Sequence, residues 1–124
     1  MRIFKTRAFT KWASKAGLPD DSLRAAVKEI EEGLVDAHLG GYLYKKRVAV
    51  QGSGKRGGTR TLLAYRSNDK TFFIYGFAKN VRASIKKDEE KALKLYAKEL
   101  MSHNDTALAD AVKSGVLVEV DKSG

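Results

Sequence analysis

The sequence contains no cysteine, so it can form neither a disulfide framework nor a thiolate metal site; this fits a reducing, cytoplasmic setting and argues against secretion. No apolar run approaches the ~18 residues that a membrane span requires, and the chain reads as soluble, without a membrane partner. Only two histidines are present, His38 before the first of three strand-like segments and His103 in a turn, and neither has a partner at metal-ligand spacing. No metal or cofactor is expected. The first nineteen residues lack acid altogether, carrying Arg2, Lys5, Arg7, Lys11 and Lys15, a composition that could pass for an organelle transit peptide. Phe9, Trp12, Ala13 and Ala16 recur there at helical spacing, however, so an amphipathic helix with its apolar stripe on a core explains the stretch.

Acid is also missing from the middle of the chain. Residues 42–82 hold Lys45, Lys46, Arg47, Lys55, Arg56, Arg60, Arg66, Lys70, Lys79 and Arg82 against Asp69 alone, so this segment accounts for the whole formal charge of +9. The flanks are nearly neutral. Among those cations stand Tyr42, Tyr44, Tyr65, Phe72, Phe73, Tyr75 and Phe77. Aromatics amid cations suit base stacking and phosphate neutralisation, although the aromatics read equally well as core strand residues.

With 124 residues, 43% of them hydrophobic, the chain suits one domain, 1–124, built on a single core. The spacing predicts a short strand over 2–5 and a helix over 7–16 that stops at Gly17. A second helix, capped by Asp20 or Asp21, buries Leu23, Ala26, Val27, Ile30 and Leu34 and forms a hairpin with the first. Three strands follow, over 42–50, 60–66 and 71–78, as an antiparallel meander. A long glycine loop, Gly52 to Gly58, separates the first two. Its Gly-x-Gly and lysine are a poor match to a phosphate-binding loop, because Gly58-Thr59-Arg60 leads into a strand rather than a helix. A helix opening at Asp88-Glu89-Glu90 presents Leu93, Tyr96, Ala97 and Leu100. A shorter one, capped by Asn104 or Asp105, presents Leu108, Ala109 and Val112 before a last strand over 116–120. The fold class is therefore α+β: a small antiparallel meander sheet with an N-terminal helical hairpin packed on it and C-terminal helices.

Alternate residues of a strand share a face, so Lys45 and Arg47 point the same way. Arg60 opens the neighbouring strand, and Lys79 and Arg82 follow the third. One end of the sheet thus gathers five cations able to converge on a phosphate. A ribonuclease needs such cations for the pentacoordinate phosphorus, a base for the ribose 2′-hydroxyl and a proton donor for the leaving 5′-oxygen. Lys46, Lys55, Arg56 and Arg66 join Arg47 as expected nucleic-acid contacts.

Several stretches together carry a specific likeness: Arg2-Ile3-Phe4-Lys5-Thr6, Gly33-Leu34-Val35-Asp36-Ala37, Lys45-Lys46-Arg47-Val48-Ala49, Gly54 through Leu62, and Phe73-Ile74-Tyr75-Gly76-Phe77-Ala78-Lys79-Asn80. The chain resembles the phage-associated, HigB-like branch of the RelE/ParE toxin superfamily, from its first residues to Gly115 through Val120. The resemblance implies a RelE-like fold, ribosome-dependent cleavage of messenger RNA, and inhibition by a cognate antitoxin, expected to be a helix-turn-helix protein encoded next to it; because residues 42–82 hold Asp69 as their one carboxylate, the cleavage is expected to need no metal. Ribosome and messenger RNA are the other implied partners. It also implies catalytic roles for Lys45, Arg60, Lys79 and Arg82. A tyrosine near the chain's end assists proton transfer in well-known members, but here Ser84-Ile85-Lys86 stands at that place, leaving Lys79, Lys45 and Tyr75 as candidates for the acid and base. Two other readings share the fold: a ParE-like inhibitor of DNA gyrase, and a phage-related RNA-binding protein without catalysis.

Overall fold

The computed structural model describes residues 1–50 and 54–121, with side chains for all of these except 54–57. The elements run β1 (Arg2–Thr6), α1 (Arg7–Ala16), α2 (Asp20–Glu31), β2 (Ala37–Gly40), β3 (Leu43–Val50), β4 (Gly54–Tyr65), β5 (Lys70–Ala78), α3 (Lys87–Met101), α4 (Asp105–Lys113) and β6 (Leu117–Glu119). They form an α+β fold around one six-stranded sheet of order β2-β3-β4-β5-β1-β6. β2 to β5 are the antiparallel meander, β1 lies parallel to β5, and β6 runs antiparallel to β1.

Each face of the sheet buries its own core. On one side Phe9 and Ala13 of α1 and Leu23, Ala26, Val27 and Ile30 of α2 pack on Ile3, Val48, Leu63, Tyr65 and Phe73. On the other, Ala97, Leu100 and Met101 of α3 and Leu108 of α4 pack on Phe4, Leu43, Leu62, Ala64 and Phe72. Alternation along β4 accounts for this, since Leu62 and Ala64 face α3 while Leu63 and Tyr65 face α1 and α2.

Local chemistry sets the helix ends. Thr6 caps α1, its Oγ1 accepting from the Phe9 N–H at 3.1 Å and donating to the Ile74 carbonyl at 3.1 Å, which ties the helix start to β5. Gly17 ends α1 at φ 70°, in the left-handed region, as expected. α2 departs from expectation: Pro19 occupies its cap position, and Asp20 is the first helical residue and pairs with Lys5 Nζ at 2.7 Å. Asn104 caps α4 through the Ala107 N–H, but this helix buries Leu108 and leaves Ala109 and Val112 exposed.

Three differences in the sheet matter for function. β2 was not predicted; it is an edge strand that carries His38, stacked on Tyr44 with ring centroids 4.2 Å apart. β4 starts at Gly54 rather than Arg60, with Val50 opposite Gly54, so much of the predicted glycine loop is strand and Arg60 sits mid-strand. β5 has a bulge: Leu62 pairs with Tyr75 but Leu63 with Phe73, leaving Ile74 as the extra residue. The bulge turns Tyr75 and Phe77 onto the α3 side, while Gly76 faces α1.

At Gly76 any Cβ would lie well inside van der Waals contact of the Trp12 ring of α1. Gly76→Ala is accordingly expected to destabilise the fold by about 1–3 kcal/mol through overpacking. A thermal melt indistinguishable from that of the parent would contradict this packing.

Candidate functional site

The α3 side of the sheet is apolar where β3, β4 and β5 meet α3 and cationic beyond it. Register sets out two rows. Arg47 of β3 lies opposite Arg60 of β4, which lies opposite Phe77 of β5; the neighbouring row is Lys45, Leu62 and Tyr75. Residues in register share a face, so Lys45, Arg47, Arg60, Tyr75 and Phe77 belong to one surface. Lys79, exposed in the turn that follows β5, stands two residues beyond Phe77.

Arg60 is the unusual member. It is only 8% exposed, and its Nη1 is buried without a hydrogen-bond partner among the described residues. A desolvated guanidinium facing another arginine across the strand pair is unfavourable by itself. It becomes favourable when an anion supplies the missing acceptor, which is what a phosphate oxygen does.

Acids from the ends of the chain meet many of the middle segment's cations. Lys46 does not join the surface: it is 3% exposed on the α2 side, with Nζ 2.7 Å from Glu29 Oε1. Arg66 lies at the far end of β4, paired with Asp69, and Lys70 also pairs with Asp69 at 3.3 Å. Arg47 is exposed, with Nε 3.5 Å from Asp36 Oδ2. Lys45, Arg60 and Lys79 have no ion pair with any described residue. The side chains of Lys55 and Arg56 lie outside the described residues.

Arg82 does reach the surface but is already engaged. Its Nη1 and Nη2 donate to Glu89 Oε2 and Oε1 at 3.1 and 2.5 Å, Nη1 also donates to the Tyr75 hydroxyl at 3.2 Å, and Nε donates to the Ser84 carbonyl at 2.9 Å. Its guanidinium lies over Phe77, 5.6 Å from the ring centroid. Four of its five N–H groups are thus spent, and Arg82 holds its neighbours in place instead of standing free for a phosphate. Beside it opens a groove of about 650 Å³ lined by Arg82, Ser84, Ile85, Lys86, Asp88 and Glu89.

Glu89 was legible only as a first-turn acid of α3. It accepts from the Lys86 backbone N–H at 2.8 Å as well as from Arg82, so one carboxylate caps α3 and holds the arginine. The Arg82 hydrogen bonds, and then the Lys86 N–H, bring its pKa from 4.5 down to about 2, and the same pairing with Glu89 raises that of Arg82. Because the Glu89 pKa is depressed on folding, its contribution to stability is complete above about 4.5 and is lost as pH falls toward 2. Glu89→Gln is therefore expected to flatten the decline of melting temperature with acid across that window; an unchanged acid limb would contradict the pairing.

The histidines have structural partners. His38 Nε2 donates to the Gly41 carbonyl at 2.9 Å, and His103 Nδ1 donates to the Glu99 carbonyl at 3.0 Å in the last turn of α3. Among the described residues no three His, Cys, Asp or Glu side chains group as metal ligands, and no helix is long and apolar enough to cross a membrane.

Compared with known families, residues 1–120 match the one described as the RelE toxin of the RelE/RelB toxin-antitoxin system. No curated protein matches the chain significantly.

Proposed function

The chain belongs to the RelE toxin family of RelE/RelB toxin-antitoxin systems, and from that premise we propose that it is a ribosome-dependent messenger RNA endonuclease of the phage-associated, HigB-like branch. It is the toxin of such a pair, and an antitoxin is its partner. We place its action in the cytoplasm, on messages held by the ribosome, with a helix-turn-helix antitoxin encoded alongside.

The observation that carries the reading is Arg60: a buried guanidinium with an unused donor, in register with Arg47 and on the same face as Lys45. Cleavage by the 2′-hydroxyl puts an extra negative charge on the phosphate oxygens as phosphorus becomes pentacoordinate. A preorganised donor in a water-poor site stabilises that charge more than it does the ground state. Lys45 and Lys79 hold the flanking phosphates and are candidates for proton transfer with Tyr75. Phe77 is buried beneath the Arg82 guanidinium and supports it from the core side. Since side-chain cations supply the charge, the step needs no divalent ion, and it leaves a 2′,3′-cyclic phosphate and a 5′-hydroxyl.

A purified translation system tests the assignment. Addition of the protein should cut the message on ribosomes while leaving DNA supercoiling by gyrase unaffected. Supercoiling arrest with intact message would identify a ParE-like gyrase inhibitor. Binding to RNA with neither effect would leave a non-catalytic RNA-binding protein.

A further inference from the structure

We infer that Tyr75 donates the proton to the leaving 5′-oxygen, and that Arg82 and Glu89 are positioning residues acting through it; the inference rests on the ribonuclease reading above. Three features converge on this hydroxyl. The bulge at Ile74 breaks the alternation of β5, so that Tyr75 shares the face of Lys45 and Arg60 rather than that of Phe73. Arginine has no acceptor, so the 3.2 Å contact from Arg82 Nη1 uses a lone pair of the Tyr75 oxygen and leaves its own O–H proton unspent. No acceptor for that proton is present among the described residues. The hydroxyl is thus fixed in place with its proton available.

The clamp behind it is rigid. Glu89 grips Arg82 with both oxygens and is anchored at the start of α3, while Phe77 supports the guanidinium from below. On the opposite side of β4, Lys45 faces Tyr75 across Leu62 in the same row. β3 and β5 are two strand spacings apart, roughly 10 Å between backbones, and the Leu62 side chain between them is buried against α3. In-line displacement at phosphorus requires the base and the acid on opposite sides, and Lys45 and Tyr75 stand on the two strands that flank the strand of Arg60.

In the step, the bond from the 2′-oxygen to phosphorus forms and the bond from phosphorus to the 5′-oxygen breaks. The 2′-hydroxyl proton passes to water on the Lys45 side, and the Tyr75 proton goes to the 5′-oxygen. The resulting phenolate lies beside the Arg82 cation until water returns its proton.

A message carrying sulfur in place of the bridging 5′-oxygen at the cleaved linkage distinguishes a proton donor from a structural tyrosine, because a thiolate leaves without being protonated. On ribosomes programmed with the normal message, Tyr75→Phe should slow single-turnover cleavage by about 10²- to 10⁴-fold, and Glu89→Gln should slow it less, both with unchanged affinity for the programmed ribosome. On the sulfur-bridged message both variants should cut at close to the parent rate, whereas Lys79→Ala should gain nothing. If Tyr75→Phe stays equally slow on both messages, or cuts the normal message at the parent rate, the assignment is overturned while the ribonuclease reading stands. If the parent protein cuts neither message, both fall.

Discussion

Replacing Arg60 with methionine is expected to reduce message cleavage by about 10²- to 10³-fold, the scale of losing one preorganised donor to a developing oxyanion, without lowering the melting temperature. Burial gives the second half of the expectation its force. Arg60 is only 8% exposed and its Nη1 has no partner among the described residues, so the folded protein bears the desolvation of a charge that no described residue offsets by an ion pair. An apolar side chain of similar length removes that penalty and fills the same space, a change that is often neutral or stabilising. Loss of cleavage with an unchanged or higher melting temperature marks a residue kept for a ligand. A melting temperature lowered by several degrees would instead make Arg60 part of the scaffold.

Lys46→Met should do the reverse. Lys46 is buried and its Nζ is 2.7 Å from Glu29 Oε1, whose side chain is 30% exposed. Breaking a buried pair at one partner typically costs 3–5 kcal/mol; with Glu29 partly solvated and engaged elsewhere as well, about 1–3 kcal/mol is expected. That amounts to a fall of several degrees in melting temperature for a chain of this size. Cleavage per folded molecule should hold, and Glu29→Leu added to Lys46→Met should recover part of the loss. Weaker RNA binding with an unchanged melt would return Lys46 to the nucleic-acid surface that its place in the sequence implied.

Local signals carried well from sequence to structure. Gly17 ended α1, Leu23, Ala26, Val27 and Ile30 formed the buried stripe of α2 while Leu34, expected to extend it, lies past the helix end and is exposed, and Glu90 pairs with Lys94 at 3.2 Å, as four-residue spacing suggests. Non-local pairing was another matter. Nothing along the chain marked β1 as the parallel partner of β5, or Ala37–Gly40 as a strand. A bulge defeats period-2 reasoning, so Phe73, Tyr75 and Phe77 look equivalent in sequence yet divide between the two faces.

Charge was the least legible property. The cations of residues 42–82 stand almost alone along the chain, but folding brings Glu29 to Lys46, Asp36 to Arg47 and Glu89 to Arg82. Segregation in sequence thus overstated the free positive surface. What pairing leaves among the described residues is smaller and better defined: Lys45, Arg60 and Lys79, three of the four residues expected to be catalytic, with Arg82 moved from the chemistry to its support.

The most direct measurement of the central claim is the chemistry of the cut ends. A message on programmed ribosomes should be cleaved in the presence of a chelator, once ribosome integrity is maintained by other means, and should carry a 2′,3′-cyclic phosphate at the new end. A single 2′-deoxy substitution at the cleaved nucleotide should abolish the cut. Cleavage that survives the 2′-deoxy substitution, or that requires an added divalent ion, would contradict 2′-hydroxyl attack supported by the cations of this sheet.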